Sequence, residues 1–395
     1  LEESETDIWD PSVPPEQSGY FWNGTPKVFA PRLQPANVPS VIDLFCGAGG
    51  LAQGFRQAGF QSILAVDQHK PSVDTFSKNH PEAATILGDI RRVSDGQILD
   101  ALAGIQPAAV IGGAPCQGFS LCNRKQFDDD PRNSLFVEYM RIVRLVKPTF
   151  VLFENVANIR SVGTYTRQIE DHFEELGYKV TGGPVSALDF GVPQSRVRWI
   201  YLGISQPKPP GRPIGEYRGR APLTVRDAIG DLPRLGNDDS TNEYCQPPTT
   251  PFQEAMRGAQ RVLLNHCSPK HPQETIDRIA RTRPGSPMYP TFKQRIRLSW
   301  DTPSPTQVSG GIRPQFQFGH PDQPRGLSIR ERCRIQSFPD HYEIFGGIVQ
   351  GRVQTGNAVP PKLAEAFARV IMGILTGEEL VEVVEDQNLL LPLAM

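Results

Sequence analysis

The stretch that most limits what this chain can become is residues 40–59. An apolar strand at 40–45 leads into Cys46-Gly-Ala-Gly-Gly50 and then into a helical pattern at 51–58 that Gly59 closes. A strand that turns through glycines into a helix brings backbone close to whatever sits over that helix N-terminus. The pattern then repeats. Apolar strands are expected at 63–66, 108–112 and 150–153, helices at about 72–78, 135–146 and 165–176, and alternating strands at 178–186 and 197–204. Such alternation specifies an α/β fold, a mostly parallel sheet covered by helices.

After residue 205 the texture changes. Residues 206–220 are dense in Pro, Gly and Arg, residues 235–251 are polar and turn-rich, and only short helices at 225–229 and 273–280 are expected before Trp300. This reads as a second, irregular lobe at 206–300. The chain then returns to the first lobe over 301–375, with an Arg-rich helix at 328–336 stopped by Pro339 and an amphipathic helix at 361–375. Residues 1–39, with seven prolines, read as an irregular acidic arm, 40–205 as the main domain and 376–395 as an acidic tail.

Charge bears on partners here. The chain carries a formal net charge of -2, yet residues 206–342 hold 20 Lys and Arg against 13 Asp and Glu. A basic stretch inside a near-neutral chain fits a local phosphate-binding surface, and a solvated face fits it equally. The six cysteines are scattered without a C-x-x-C pair, which argues against zinc and against a disulfide framework and fits a reducing cytoplasm. No secretory signal and no apolar run of about 18 residues is evident, so no membrane association is expected.

Four segments carry chemistry. Gly47-x-Gly49-x-x-Ala52, with Asp67 ending the next strand, suits a nicotinamide cofactor, S-adenosylmethionine or a merely structural turn. Gly112-Gly-Ala-Pro-Cys116-Gln-Gly-Phe-Ser120 sets a cysteine among small residues at the carboxyl end of a strand, which favours an accessible nucleophile over an inert buried thiol. Glu154 ends an otherwise apolar strand and would line the same cleft. Arg196 and Arg198 share one face of an extended segment.

Together these residues resemble the DNA cytosine-5 methyltransferases. Asp43 to Gly50 matches the family's first motif, Gly113 to Ser120 the fourth, Glu154-Asn155-Val156 the sixth and Gln194-x-Arg196-x-Arg198 the eighth. The Arg-rich ninth motif matches residues 325–339 and the tenth is Gln354-Thr-Gly-Asn357-Ala-Val-Pro360, so the resemblance spans about residues 40–375. Asp67 stands where the family usually has Glu, and Ser328 where Thr is common. The resemblance implies a Rossmann-like methyltransferase fold whose irregular lobe is the target-recognition domain. It assigns Cys116 as the nucleophile on carbon 6 of cytosine, Glu154 at the ring's N3 and exocyclic amine, and Arg196 and Arg198 at the base oxygen and nearby backbone.

By the same resemblance S-adenosylmethionine is held by Phe45, Ala48 and Gly50, with Asp67 on the ribose and Asp89 and Ile90 at the adenine. Gly113, Pro115, Leu135 and Asn357 complete that pocket. Residues 117–133 match a mobile loop that closes over a base flipped out of double-stranded DNA. The lobe's Arg212, Arg218, Arg220, Arg278, Arg281, Arg283, Arg295 and Arg297 are candidates for phosphate and guanine contacts. The resemblance and the compact size imply a prokaryotic or phage modification enzyme, expected to be monomeric and cytoplasmic, and either paired with a cognate restriction endonuclease or acting as an orphan or regulatory methyltransferase. Two rivals stand beside this reading. An RNA cytosine-5 methyltransferase of the transfer-RNA type typically carries a Cys-Phe-Thr tripeptide that is absent here, and a catalytically dead paralogue would lack Pro115, Cys116 or Glu154.

Overall fold

A computed structural model of the protein describes residues 20–34, 36–114, 134–156, 163–309, 317–378 and 381–384. Pro115, Cys116 and the expected loop at 117–133 lie outside the described residues.

The first half of the chain alternates as its apolar pattern requires. In order come β1 (Lys27–Phe29), β2 (Ser40–Leu44), α1 (Gly50–Gln57), β3 (Gln61–Asp67), α2 (Lys70–Asn79), β4 (Ala84–Leu87), α3 (Asp95–Leu102) and β5 (Ala109–Gly112). They are followed by α4 (Ser134–Val146), β6 (Phe150–Val156), α5 (Gly163–Glu175), β7 (Lys179–Ser186), β8 (Gln194–Ser195) and β9 (Val197–Ile204). Among the described residues the main sheet runs β1-β4-β3-β2-β5-β6-β9-β7. It is parallel from β4 to β6, while β9 lies antiparallel to both β6 and β7. Every residue of β2 is buried because helices cover both faces, and Val41, Ile42 and Leu44 accordingly are apolar while Asp43 is the exception.

One face carries α3, α4 and α5, packed through Ile98, Phe136, Tyr139 and Phe173 against Leu44, Ile86 and Phe153. The irregular lobe follows with α6 (Val225–Ile229), α7 (Pro251–Arg257) and α8 (Gln273–Arg281), and the chain returns through α9 (Ile329–Ile335), α10 (Gly347–Asn357) and α11 (Pro361–Thr376). Helix α11 lies with α1 on the second face, where Leu363, Phe367 and Ile371 meet Phe55, Leu152 and Leu202. The lobe's core, with Val225, Ile229, Phe252, Met256 and Leu298, continues into Leu327 and Ile335 and so is shared with α9.

Five of these elements depart from the sequence reading. Residues 27–29, expected to be irregular, pair antiparallel with β4, which the sequence reading also missed. Helix α3 carries only a sparse apolar stripe, Ile98 and Leu102, and owes its start to a capping box between Ser94 and Gln97. Helix α7 opens with Pro251 behind the Thr250 cap inside a segment that reads as turns. Helix α10 contains Gly347, Gly351 and Gly356, poor helix formers that are admitted because Ile329 packs on Gly351 and the 308–309 backbone on Gly356.

Among the described residues, no helix is long and apolar enough to cross a membrane, and no group of three or more His, Cys, Asp or Glu side chains could hold a metal ion.

Candidate active site

In a doubly wound sheet the cleft opens at the carboxyl ends of the strands, where the chain order reverses. Here β2 has β3 on one side and β5 on the other, and a cavity of about 310 Å³ lies at that edge. Of the residues expected in the site, Phe45, Gly50, Asp67, Asp89, Ile90, Gly113, Leu135, Glu154, Arg198 and Asn357 line it. The tenth motif does come back beside the first. The Val359 carbonyl abuts Gly50, the Pro361 carbonyl abuts Gly54, and Asn357 ends α10 at the cavity.

The turn after β2 is built for close approach. Phe45, Gly47 and Gly49 all have positive φ. A side chain at Gly49 would also strike the Tyr342 hydroxyl and the Phe76 ring, so glycine is required there on two counts. Asp67 braces the turn, accepting the Gly47 amide on Oδ2 (2.8 Å) and the His69 amide on Oδ1 (2.8 Å). Asp89 caps the short 3-10 turn Ile90–Arg92 and pairs with Arg91. Partial burial works to raise its pKa, but these bonds prevail and lower it.

At the other end of the cavity the sheet register assembles a pair. In the antiparallel pairing of β6 and β9, Val156 faces Arg198, which puts Arg198 on the same face as Glu154 two residues away. Glu154 Oε1 lies 2.8 Å from Arg198 Nε. Burial raises the pKa of Glu154, while Arg198 and Arg196 pull the other way. Gly113, just past the end of the neighbouring strand β5, leaves space that a Cβ would deny, since that atom would fall 2.5 Å from Glu154 Oε2.

Asp43 also lines the cavity. It is 1% exposed, and neither carboxylate oxygen makes a hydrogen bond of ordinary length. Burial drives its pKa well up; the nearby Ala52 amide opposes this and Asp67 adds to it. A desolvated carboxylate of this kind suits a ligand that brings a positive charge.

Two expected residues sit elsewhere. Arg196 is fully buried behind the cavity, donating to the carbonyls of Gln307 (3.0 Å), Gly356 (3.1 Å) and Asn357 (3.5 Å). Burial, with Arg198 nearby, lowers its pKa to about 9. Ala48 is buried, and its carbonyl accepts the Tyr342 hydroxyl (2.6 Å). The sequence reading missed Phe21, His69 and Val353, which also line the cavity. His69 and Val353 follow Asp67 and precede Asn357 closely enough to have been found by neighbourhood. Phe21 carried no signal.

The basic stretch is less exposed than its composition implies. Arg295 lies beneath Phe292 and Tyr289, and Arg297 donates to the carbonyls of Ile279, Ala280 and Thr282 at the end of α8. Arg325, Arg330, Arg332 and Arg334 are buried as well. As surface candidates for DNA, Arg295 and Arg297 are corrected to buried residues. Arg218, Arg220, Arg281 and Arg283 are exposed, whereas Arg212 is half-buried against the Pro184 carbonyl (2.8 Å).

Residues 40–373 match the family model described as C-5 cytosine-specific DNA methylase. The chain is 35% identical over 357 residues to the Type II methyltransferase M1.HphI of Haemophilus parahaemolyticus, covering 85% of this chain and 87% of that protein. It is 34% identical to the Type II methyltransferase M.DdeI of Desulfomicrobium norvegicum, covering 88% and 91%. Its fold resembles that of a crystal structure of an Escherichia coli prophage protein, with a TM-score of 0.69, 23% identity and coverage of 86% and 99%. The methyltransferase EhMeth of Entamoeba histolytica gives 0.58 at 14% identity, covering 86% and 99%.

Proposed function

The chain belongs to the C-5 cytosine-specific DNA methylases, and from that premise we propose that it methylates a cytosine flipped out of double-stranded DNA, through a covalent adduct with Cys116. The observation that carries this reading is the convergence of Glu154, Arg198 and Gly113 at one end of the cavity, beside the strand that leads to Cys116. Carbon 5 of cytosine is a poor nucleophile. Attack of the Cys116 thiolate on carbon 6 makes the ring an enamine, and carbon 5 then takes the methyl. Glu154, its pKa raised by burial, holds a proton at N3 and accepts the exocyclic amine. Arg198 holds the base oxygen and spreads the developing charge. Arg196 acts behind it as a positioning residue, tying β9 to the end of α10. A base removes the carbon 5 proton, and Cys116 then departs.

Bound S-adenosylmethionine supplies the methyl. The cavity's size suits this cofactor, and a sulfonium cation would favour the ionised form of the buried Asp43 carboxyl. Phe45 and Gly50 would border it, Asp67 would take the ribose hydroxyls, and Asp89 and Ile90 would meet the adenine. Gly113, Pro115, Leu135 and Asn357 would close the pocket. We assign sequence recognition to residues 206–300 and, by likeness to the Type II relatives, a place beside a cognate restriction endonuclease.

Base-resolution sequencing of DNA from a host expressing the chain tests this. 5-Methylcytosine should appear at one recurring sequence and vanish with Cys116→Ser. Methylation that persists in the variant overturns the assignment.

A further inference from the structure

Residues 20–29 lie upstream of the family match, which begins at residue 40, and cross the rim of the cleft. Strand β1 pairs with β4, Lys27 opposite Leu87. Pro26 rests on Gly88, and the Arg92 guanidinium donates to the Asn23 carbonyl. The Trp22 amide donates to the Gln68 carbonyl (2.9 Å) and the Lys70 amide to the Tyr20 carbonyl (2.8 Å), an antiparallel bridge centred on Phe21 and His69. These anchors fall on β4, on the turns that follow β3 and β4, and on the first residue of α2, around the segments that carry Asp67 and Asp89.

Phe21 thereby forms part of the cavity wall. Its ring lies 5.1 Å from the His69 ring, tilted by 46°. His69 is a fixed backing: it is buried, with Nδ1 2.8 Å from Ser72 Oγ and Nε2 2.9 Å from Gln350 Oε1. The cavity follows the strand ends from β4 through β3, β2 and β5 to β6, four inter-strand steps or roughly 19 Å. Glu154 and Arg198 occupy the β6 end, where the base is held. The methyl-donating end of the cofactor must point there, which leaves its adenosine at the β3 and β4 end, beneath residues 20–29.

We propose that Phe21 stacks on the adenine ring and that residues 20–29 are a strap completing the adenosine subsite, a part this chain adds to the family domain. The inference rests on the reading that the cavity takes S-adenosylmethionine. A half-buried ring on a rigid backing offers a flat apolar face to a purine without having to be ordered first.

Calorimetric titration of the full-length protein with S-adenosylhomocysteine tests it. Phe21→Ala should raise Kd about tenfold and Phe21→Leu, which keeps bulk without a ring, nearly as much. Phe21→Tyr should stay close to wild type, and the melting temperatures of the ligand-free proteins should coincide. Equal affinity of wild type and Phe21→Ala would overturn the strap while leaving the cavity reading intact. So would a Phe21→Leu variant that restored full affinity, which would make the side chain packing rather than a stacking surface. A wild-type protein that did not bind S-adenosylhomocysteine at all would instead sink the cofactor reading itself.

Discussion

Glu154 and Arg198 stand 2.8 Å apart on adjacent antiparallel strands, a carboxylate that burial would protonate beside a guanidinium that would ionise it. Burial prevails, so the pKa lies above the ordinary 4.5. Between those two values the folded chain keeps a proton that the unfolded chain gives up. The resulting stability is present at low pH and fades as pH rises through the raised value. Methyl transfer that needs this proton at N3 should decline over the same range. Glu154→Gln should abolish that limb of the pH profile and lower the single-turnover rate by roughly 10²–10⁴-fold. An unchanged profile would remove Glu154 from proton handling.

Covalency has its own signature. DNA carrying 5-fluorocytosine at the target should trap the wild-type enzyme as a denaturation-resistant adduct, because fluorine cannot leave carbon 5 as a proton does. Cys116→Ser should give no adduct while binding S-adenosylhomocysteine nearly as well as wild type, since the described cavity wall is untouched. A gel resolving adduct from free protein, with a parallel titration, checks both.

The two arginines of the eighth motif should separate by readout. Arg196→Met strands the carbonyls of Gln307, Gly356 and Asn357 and should cost about 3 kcal/mol of stability. Arg198→Met should leave the denaturation midpoint almost unchanged yet slow the chemical step strongly, as loss of a charge-stabilising donor does. Urea unfolding beside single-turnover rates decides this. A large stability loss from Arg198→Met would reject the division.

That division was not legible in the sequence. Two arginines spaced by one residue look equivalent, and only the arrival of the 307 and 356–357 backbone from more than a hundred residues away distinguishes them. Long-range packing hid the rest in the same way. The Arg-rich composition of α9 was legible but its direction was not: Arg330 and Arg334 point inward because Asp231, Asp340 and several carbonyls converge on them. Helix α10 was invisible because Gly351 and Gly356 are justified only by Ile329 and the 308–309 backbone. What could be read was local. The buried strand β2, the glycine turn and the isolated glutamate that follows the apolar start of β6 each declare themselves within ten residues.

The pair Arg325 and Glu331 anchors the start of α9. Both are 1% exposed and joined by two bonds of 2.7 and 2.9 Å, and Glu331 also closes the capping box with Ser328. Burial favours the neutral acid, but Arg325 outweighs it and holds the Glu331 pKa far below the usual range. The stability this supplies is present above about pH 4.5 and is lost as pH falls toward the folded value. Glu331→Gln should therefore cost about 3–5 kcal/mol at pH 7 and visibly less at pH 4. A cost independent of pH in urea titrations would show that the hydrogen bonds alone matter.

The final prediction concerns where sequence is read. The family motifs end at Arg198 and resume near Arg325, so the target should be set by the segment between them, mainly residues 206–300. Grafting that segment from a relative with another target should move methylation to the new sequence and leave S-adenosylhomocysteine affinity unchanged. The physical ground is that base edges are read in the grooves, whereas the flipped cytosine is read by Glu154 and Arg198. Burial sharpens the expectation within the segment. Arg281 and Arg283 are exposed, and if either is bidentate to guanine its loss should cost about 1–3 kcal/mol and relax one position of the target. If it touches only phosphate, all sequences should weaken about equally and the salt dependence should flatten. Arg295 and Arg297 are internal, so their removal should lower the melting temperature before it alters specificity. An active chimera that kept its original target would move recognition out of the lobe, toward residues 117–133.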